Sequence, residues 1–394
     1  MDFNFTPEEE AFRQELRAWL RHNLPENYNP QEFDRIDADA RFEFQRAWQK
    51  KAYEAGWVGI HWPKEYGGRG ASLPEMFIYN QEMSRAHAPR FANTLGLMMS
   101  GPTIIHWGTE EQKRRYLPKI LSGEEIWCEG LSEPNAGSDL ASLQTRAVED
   151  GDYFVVNGQK VWTSFAHRAS FIQLFVRTDP NAPKHRGITC LIVDMKTPGV
   201  TVRPLVQITG DAEFNEVFFT DVRVPRTNML GPLQEGWKVL VTTLMHERAG
   251  IGSELPVHRQ LEELIQLAKT VAINGKPATE DPAVRQKLAQ FAIESKAITY
   301  NMFRSFSARL KGNQPGPEGS INKLFGSELN GRLAMFATEL LGPYAQLVQS
   351  SPYAVDYGRW SRAALWFRLL TIAGGTSEIQ RGILGDRVLG LPKG

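Results

Sequence analysis

Hydrophobic periodicity switches twice along this chain, and that double switch constrains the fold more than any single motif. Up to about residue 124 apolar side chains recur at helical spacing. Over 125–230 short runs of strand-forming residues alternate with turn dipeptides, and from 231 the helical spacing returns. A helix buries a stripe and a strand buries alternate residues, so no single element type serves all three stretches. The reading is α+β, mainly α, with a helical domain over 1–124, a middle β domain over 125–230 and a helical bundle over 231–394.

Local signals support each stretch. Thr6, Pro7 and Glu9 form a helix start, with a capping oxygen, a proline in the first turn and a reciprocal acid, ahead of Phe12, Leu16, Trp19 and Leu20. A second run around Phe44, Trp48 and Ala52 ends at Gly56, and a third passes through Met76, Tyr79 and Met83. In the middle stretch Asp150-Gly151 and Asn157-Gly158 read as hairpin dipeptides, followed by the strand-like runs "FIQLFVRT", "GITCLIVDM", "VTVRPLVQ" and "EVFFTDVRVP". Beyond residue 231, Asp281-Pro282 opens a helix with Val284, Leu288, Phe291, Ile298 and Met302 on its stripe. The loop "GNQPGPEGS" separates it from another helix through Leu324, Phe325, Phe336 and Leu340.

Composition excludes several function classes. Lys+Arg 45 against Asp+Glu 45 leaves no net charge to attract nucleic acid or an anionic membrane. There is no apolar run of roughly 18 residues to span a bilayer, and the acidic start "MDFNFTPEEE" is unlike a basic leader. Cys128 and Cys190 have neither disulfide-framework nor metal-ligand spacing, and no metal is expected. The expected location is cytoplasmic.

One helical stretch carries charges where apolar residues are due. In "TTLMHERAGIG" the stripe of Trp237, Leu240, Val241, Leu244 and Ile251 places Glu247 at its edge and Arg248 near its centre, with His246 pointing away. A carboxylate facing a core is either paired in a structural ion-pair network or desolvated into a better proton acceptor. Periodicity alone leaves both readings open.

No G-x-G-x-x-G or P-loop is present. Two other segments join small residues, hydroxyls and an acid: "GLSEPNAGSDLAS" at 130–142 and "IAGGTSEIQRG" at 372–382, with "NGQKVWTS" between them. Together with "GTEEQKRRYLPKILSGE" and "FFTDVRVP", in this order, they resemble the acyl-CoA dehydrogenase family over essentially the whole length.

The resemblance implies an antiparallel, barrel-like middle domain, a C-terminal four-helix bundle, FAD at the domain junction and self-association as a dimer or tetramer. Its substrate would be an acyl-CoA, as in fatty-acid β-oxidation, with electrons passed to an electron-transfer flavoprotein. By position, Leu131, Ser132, Gly137 and Ser138 would line the flavin and thioester end. Trp162, Thr163 and Ser164 would border the isoalloxazine, and Gly375, Thr376 and Glu378 the FAD pyrophosphate region. Ser138 and Arg248 would also serve the substrate.

Desaturation of a thioester removes an α-proton as a hydride leaves the β-carbon, so a base must sit across the acyl chain from the flavin in a dry pocket. Many members carry that base in a Y-E-G-T tetrad, whereas this chain reads Ala373-Gly374-Gly375-Thr376. Gly374 can still offer its N–H to the thioester carbonyl. As in isovaleryl-type and long-chain-type members, the resemblance implies Glu247 as the base. Two segments that usually clamp a neighbouring subunit's FAD depart from the pattern: "AKTVAINGKPATEDPAV" and "ELLGPYA". Two alternatives therefore stand beside the dehydrogenase reading: an oxygen-using flavoenzyme, such as an acyl-CoA oxidase or flavin monooxygenase, and a non-catalytic partner subunit.

Overall fold

The first helix, α1 (Pro7–Asn23), starts on the capping box read from the sequence: Glu9 N donates to Thr6 Oγ1 at 3.2 Å and Thr6 N to Glu9 Oε2 at 2.8 Å. The structure, a computed structural model, describes residues 5–26, 28–29, 33, 36–251, 257–312, 316–349 and 351–392, leaving aside the side chains of 247–251. The chain divides into two compact units, Met1–Glu247 and Arg248–Gly394.

The first unit continues with α2 (Ala38–Glu54), α3 (Leu73–Arg85), α4 (Gly101–Trp107) and α5 (Glu110–Ser122). A π-turn, Gly96–Ser100, leads into α4. Phe12, Leu16 and Leu20 of α1 share a core with Trp48, Trp57 and Ile78. Two buried amides join these helices to the sheet. Asn93 donates to Ile120 O (3.1 Å) and Glu125 O (2.9 Å) and accepts from Trp127 N (2.9 Å), while Gln49 Oε1 accepts from Asn93 N (2.9 Å). Each amide satisfies backbone groups that burial would otherwise leave unpaired.

The eight-stranded sheet comprises β1 (Trp127–Gly130), β2 (Arg146–Asp150), β3 (Tyr153–Lys160), β4 (Phe171–Arg177), β5 (Ile188–Asp194), β6 (Val200–Leu205), β7 (Phe214–Pro225) and β8 (Met229–Leu230). Its order is β6-β7-β3-β2-β4-β5-β8, with β1 paired to β4. An antiparallel sheet was the expectation, but the sheet is mixed: β1 and β4 run parallel, as does the single β2–β4 pairing of Arg146 with Arg177. The cause is the long excursion between β1 and β2, which carries the chain away from β1 and returns it beside β4 in the same direction.

Asp150-Gly151 makes the expected hairpin, with Asp150 opposite Tyr153. Asn157-Gly158 does not turn the chain. It lies inside β3, where the register against β7 shifts between Val156 and Gly158. A Cβ at Gly158 would come within 2.6 Å of Thr145 Oγ1 and 2.7 Å of Thr145 Cα, so this glycine marks a close backbone approach, opposite the extra residue that β7 carries between Phe219 and Val222. After β8 the chain enters α6 (Gly236–Ile251).

In the second unit α7 (Val257–Thr270), α8 (Pro282–Leu310) and α9 (Gly319–Leu341) pack around Leu261, Leu264, Leu288, Phe291, Leu333 and Phe336, with the shorter α10 (Arg359–Trp366) adding Trp360. Asp281 caps α8 by accepting from Ala283 N (2.8 Å) and Val284 N (3.1 Å). Between α7 and α8 a small hairpin, β9 (Ala272–Ile273) with β10 (Lys276–Pro277), turns on Asn274 and Gly275, both at positive φ. Helix α11 (Ser377–Ile383) runs on into a π-helical turn, Leu384–Val388.

Gly158→Ala should destabilise the protein by about 2 kcal/mol or more, because the neighbour it meets is backbone as well as side chain. A lowered thermal unfolding midpoint, read by circular dichroism, checks this.

Candidate active site

Strand β3 has a burial rhythm that sets up the first half of the site. Phe154, Val156 and Lys160 are buried, so the strand delivers a lysine inward just before the chain leaves the sheet. Lys160 is 0% exposed. Its ammonium donates to Glu133 Oε1 at 2.8 Å and Leu131 O at 3.0 Å. The Glu133 carboxylate also accepts from Gln144 N (2.6 Å) and Thr145 N (2.8 Å). Burial alone would raise the Glu133 pKa, but Lys160 and these bonds together hold it below the ordinary value.

The loop of 131–142 is thereby fixed at its base. Glu133 and Ala136 exchange backbone hydrogen bonds (2.9 and 3.0 Å) around Pro134 and Asn135. At the far end Arg177 donates to Ala141 O at 2.6 Å. The tip is open: Gly137 and Ser138 are exposed, and a Cβ at Gly137 would meet nothing within 4 Å.

The segment after β3 lies beside this loop, tied to it by Val161 N donating to Ser132 O at 2.9 Å. Trp162 (φ 60) and Phe165 (φ 58) both occupy the left-handed region, an uncommon conformation that persists only where the surroundings enforce it. Asn215 enforces it here. Its amide donates to Thr163 O (2.9 Å) and Glu213 O (3.1 Å), while Thr163 N donates to Asn215 O (3.0 Å) and Phe165 N to Glu213 O (2.7 Å). The result is a Trp162 ring 61% exposed, edge-on to Phe214 at 6.2 Å. Beside it the Thr163 hydroxyl is buried without a hydrogen-bond partner. Half-buried Ser164 follows.

Helix α6 departs from the apolar stripe read in the sequence. Gly236, Val239, Leu240 and Thr243 are buried, whereas Val241 is 41% exposed. The face is rotated towards Val239 and includes a threonine: Thr243 Oγ1 lies 3.0 Å from Thr103 Oγ1 and accepts from Gln173 Nε2 at 2.9 Å. Position 247 continues the series 236, 240, 243 at helical spacing. The side chains of Glu247 and Arg248, the expected base and its neighbour, lie outside the described residues. His246 is half-buried, and burial, with His106 adding to it, holds its pKa below the ordinary value.

In the second unit, Gly374 (φ 65) and Gly375 (φ 89) make a turn that side chains rarely adopt. Gln380 Nε2 donates to Gly374 O at 2.9 Å and Lys323 Nζ to Gly375 O at 2.5 Å, holding both carbonyls. Among the described residues no backbone carbonyl takes the N–H of Gly374, Gly375 or Thr376. Thr376 Oγ1 caps α11 by accepting from Ile379 N at 3.2 Å. Exposed Glu378 has its pKa lowered by its own backbone N–H and by the Thr376 hydroxyl.

Family models described as the acyl-CoA dehydrogenase N-terminal, middle and C-terminal domains match residues 6–124, 128–222 and 234–389. The chain is 38% identical to the acyl-CoA dehydrogenase IpdE1 of Mycobacterium tuberculosis over 394 residues, covering 98% of each. It belongs to the acyl-CoA dehydrogenase family. It resembles the solved ChsE4-ChsE5 complex from Mycobacterium tuberculosis (TM-score 0.86, 36% identity, 100% of both chains) and a structure described as Tcur3481-Tcur3483 steroid ACAD (TM-score 0.86, 34% identity, 100% of both chains).

This acyl-CoA dehydrogenase is thus an oxidoreductase of a family that binds FAD, with an acyl-CoA substrate implied. The residues present in each unit fit that cofactor: in the first an open tryptophan face, a buried hydroxyl lacking a partner among the described residues and an open glycine tip, and in the second a turn whose N–H groups no described backbone carbonyl takes. Within the first unit Leu131, Ser132, Trp162, Thr163 and Ser164 come together around the Ser132–Val161 bond, with Gly137 and Ser138 at the loop tip. Gly374, Gly375, Thr376 and Glu378 come together in the second. Sequence reasoning missed Lys160 and Asn215, although the inward alternation of β3 was a usable signal for the lysine. Among the described residues no cluster of metal ligands occurs and no helix is long and apolar enough to cross a membrane. Both cysteines are free and buried.

Because the Thr163 hydroxyl is buried without a partner, Thr163→Val should leave the FAD-free protein as stable or up to about 1 kcal/mol more stable. Thermal unfolding of the FAD-free variant beside the parent measures it.

Proposed function

We propose that this acyl-CoA dehydrogenase binds FAD and desaturates its acyl-CoA between the α and β carbons, with Glu247 as the base. The observation that carries the reading is the Gly374-Gly375 turn, whose N–H groups are taken by no backbone carbonyl among the described residues and which has no carboxylate where many members carry theirs. The acid must then come from elsewhere, and Glu247 follows the buried face of α6 by helical spacing.

Each group has a role. The Gly374 N–H donates to the thioester carbonyl, stabilising the negative charge that develops there as the α-proton leaves. Glu247 takes that proton, and Arg248 orders the charge around the pocket. Bound FAD supplies the acceptor for the departing hydride. Trp162, Thr163 and Ser164, with Leu131, Ser132, Gly137 and Ser138, hold its ring end, and Gly375, Thr376 and Glu378 its pyrophosphate region. Electrons pass on to an electron-transfer flavoprotein.

The description of one similar structure as a steroid ACAD supports an acyl group carrying a steroid rather than a plain fatty acid. Two similar structures are named for pairs of proteins, which supports assembly with a second chain over self-association alone.

Anaerobic stopped-flow mixing of the FAD-loaded protein with steroid-side-chain and straight-chain acyl-CoAs tests the reading. Flavin absorbance should bleach fastest with the steroid thioester. Glu247→Gln should slow bleaching at least about a hundredfold while FAD stays bound. Parental bleaching by this variant would remove Glu247 from its role, and fast reoxidation in air with peroxide release would instead favour an oxidase.

A further inference from the structure

The buried Lys160–Glu133 pair lies under the cofactor segments, yet nothing in the proposed chemistry uses it. We propose that Lys160 is a positioning residue for FAD, holding the loop of 131–138 and the segment of 161–165 in their cofactor-ready arrangement before FAD arrives. This rests on the reading that those two segments cradle the flavin.

The geometry supports a positioning role. One ammonium fixes Leu131 O (3.0 Å) and the Glu133 carboxylate (2.8 Å), and that carboxylate in turn fixes Gln144 N (2.6 Å) and Thr145 N (2.8 Å). The entry and exit of the loop are therefore tied to the end of β3. The next residue, Val161, bonds Ser132 and leads into Trp162. Any shift of the lysine displaces both cofactor segments at once.

Stability does not explain the pair. Two charges taken out of water lose hydration that their attraction only partly restores, and an apolar pair of similar volume is often as stable or more so. What an apolar pair cannot do is orient the Leu131 carbonyl and the two N–H groups while leaving the loop tip free.

The charge is also sensitive to pH. Burial lowers the Lys160 pKa to about 8, with Glu133 opposing the shift and Arg177 of β4 adding to it. As pH rises the folded protein releases this proton first. Between about 8 and the ordinary 10.5 the unfolded chain binds more protons, so this group's contribution to folding stability rises with pH. Over the same window the charged tie to Leu131 and Glu133 is lost, so FAD binding should weaken. A merely structural lysine would not move the two quantities in opposite directions.

The test uses full-length FAD-free protein: wild type, the charge-free double variant Lys160→Met with Glu133→Gln, and Trp162→Ala. FAD dissociation constants are read from flavin fluorescence between roughly pH 6.5 and 9.5, beside thermal midpoints of the FAD-free proteins. Wild type should bind more weakly through about pH 8. The double variant should bind about tenfold more weakly or worse at neutral pH, lose the pH step, and unfold no earlier than wild type. FAD binding as tight as wild type in the double variant, with Trp162→Ala weakened, would overturn the positioning role and leave the cradle standing. Unchanged binding in Trp162→Ala would sink the cradle reading and this proposal with it.

Discussion

An ammonium group with no access to water must be neutralised where it sits, and in this protein Glu133 meets that requirement for Lys160. Much else in the middle domain follows from this pairing. Glu133 stands three residues beyond β1, and the Glu133–Ala136 turn begins there, so the pairing anchors the start of that turn. The remaining lone pairs of the carboxylate require donors, which come from the residues leading into β2. The excursion between β1 and β2 is thus closed at its base by charge, and the same excursion lets β1 and β2 both run parallel to β4.

A second constraint acts on the neighbouring segment. Trp162 and Phe165 sit in the left-handed region at a cost of order 1 kcal/mol each, which must be offset by surrounding bonds. Asn215, 0% exposed, does so with its backbone and side chain together. Strain held by a buried amide leaves a large aromatic face in water and a hydroxyl without a partner, two features that folding alone disfavours. Binding a flat, polar-edged cofactor would reverse both, which supports the placement of the isoalloxazine that the resemblance implies.

What the sequence made legible follows from the range of the interactions. The caps of α1 and α8 were readable because capping joins residues three positions apart. The strands were readable because β-branched and aromatic runs mark them. Reading failed where a local signal has two structural outcomes. Asn-Gly turns the chain at 274–275 but runs on inside a strand at 157–158, where Gly158 meets the backbone of Thr145, which no local window contains. The stripe of α6 was misphased because it left out two fully buried residues, Val239 and Thr243, and the burial of Thr243 is tied to Thr103 and Gln173 far away in sequence. The cofactor segments were identified by resemblance, whereas the two residues that hold them, Lys160 and Asn215, were not. Their importance lies in partners 27 and 52 positions distant.

The loss of a carboxylate at 374 and the shape of the turn there are physically consistent. With Gly374 at φ 65 and Gly375 at φ 89, and both carbonyls held by Gln380 and Lys323, the backbone is committed to a conformation that strains any side chain. A glutamate at 374 would have to pay that strain or release the carbonyls and turn the N–H groups away. With glycine at 374 this turn offers its N–H and no carboxylate. Moving the base to a helix separates the two tasks, since a helical position tolerates a glutamate without strain and the turn is left to donate. The proposed function assigns the two tasks accordingly, the donor to Gly374 in one unit and the base to Glu247 in the other.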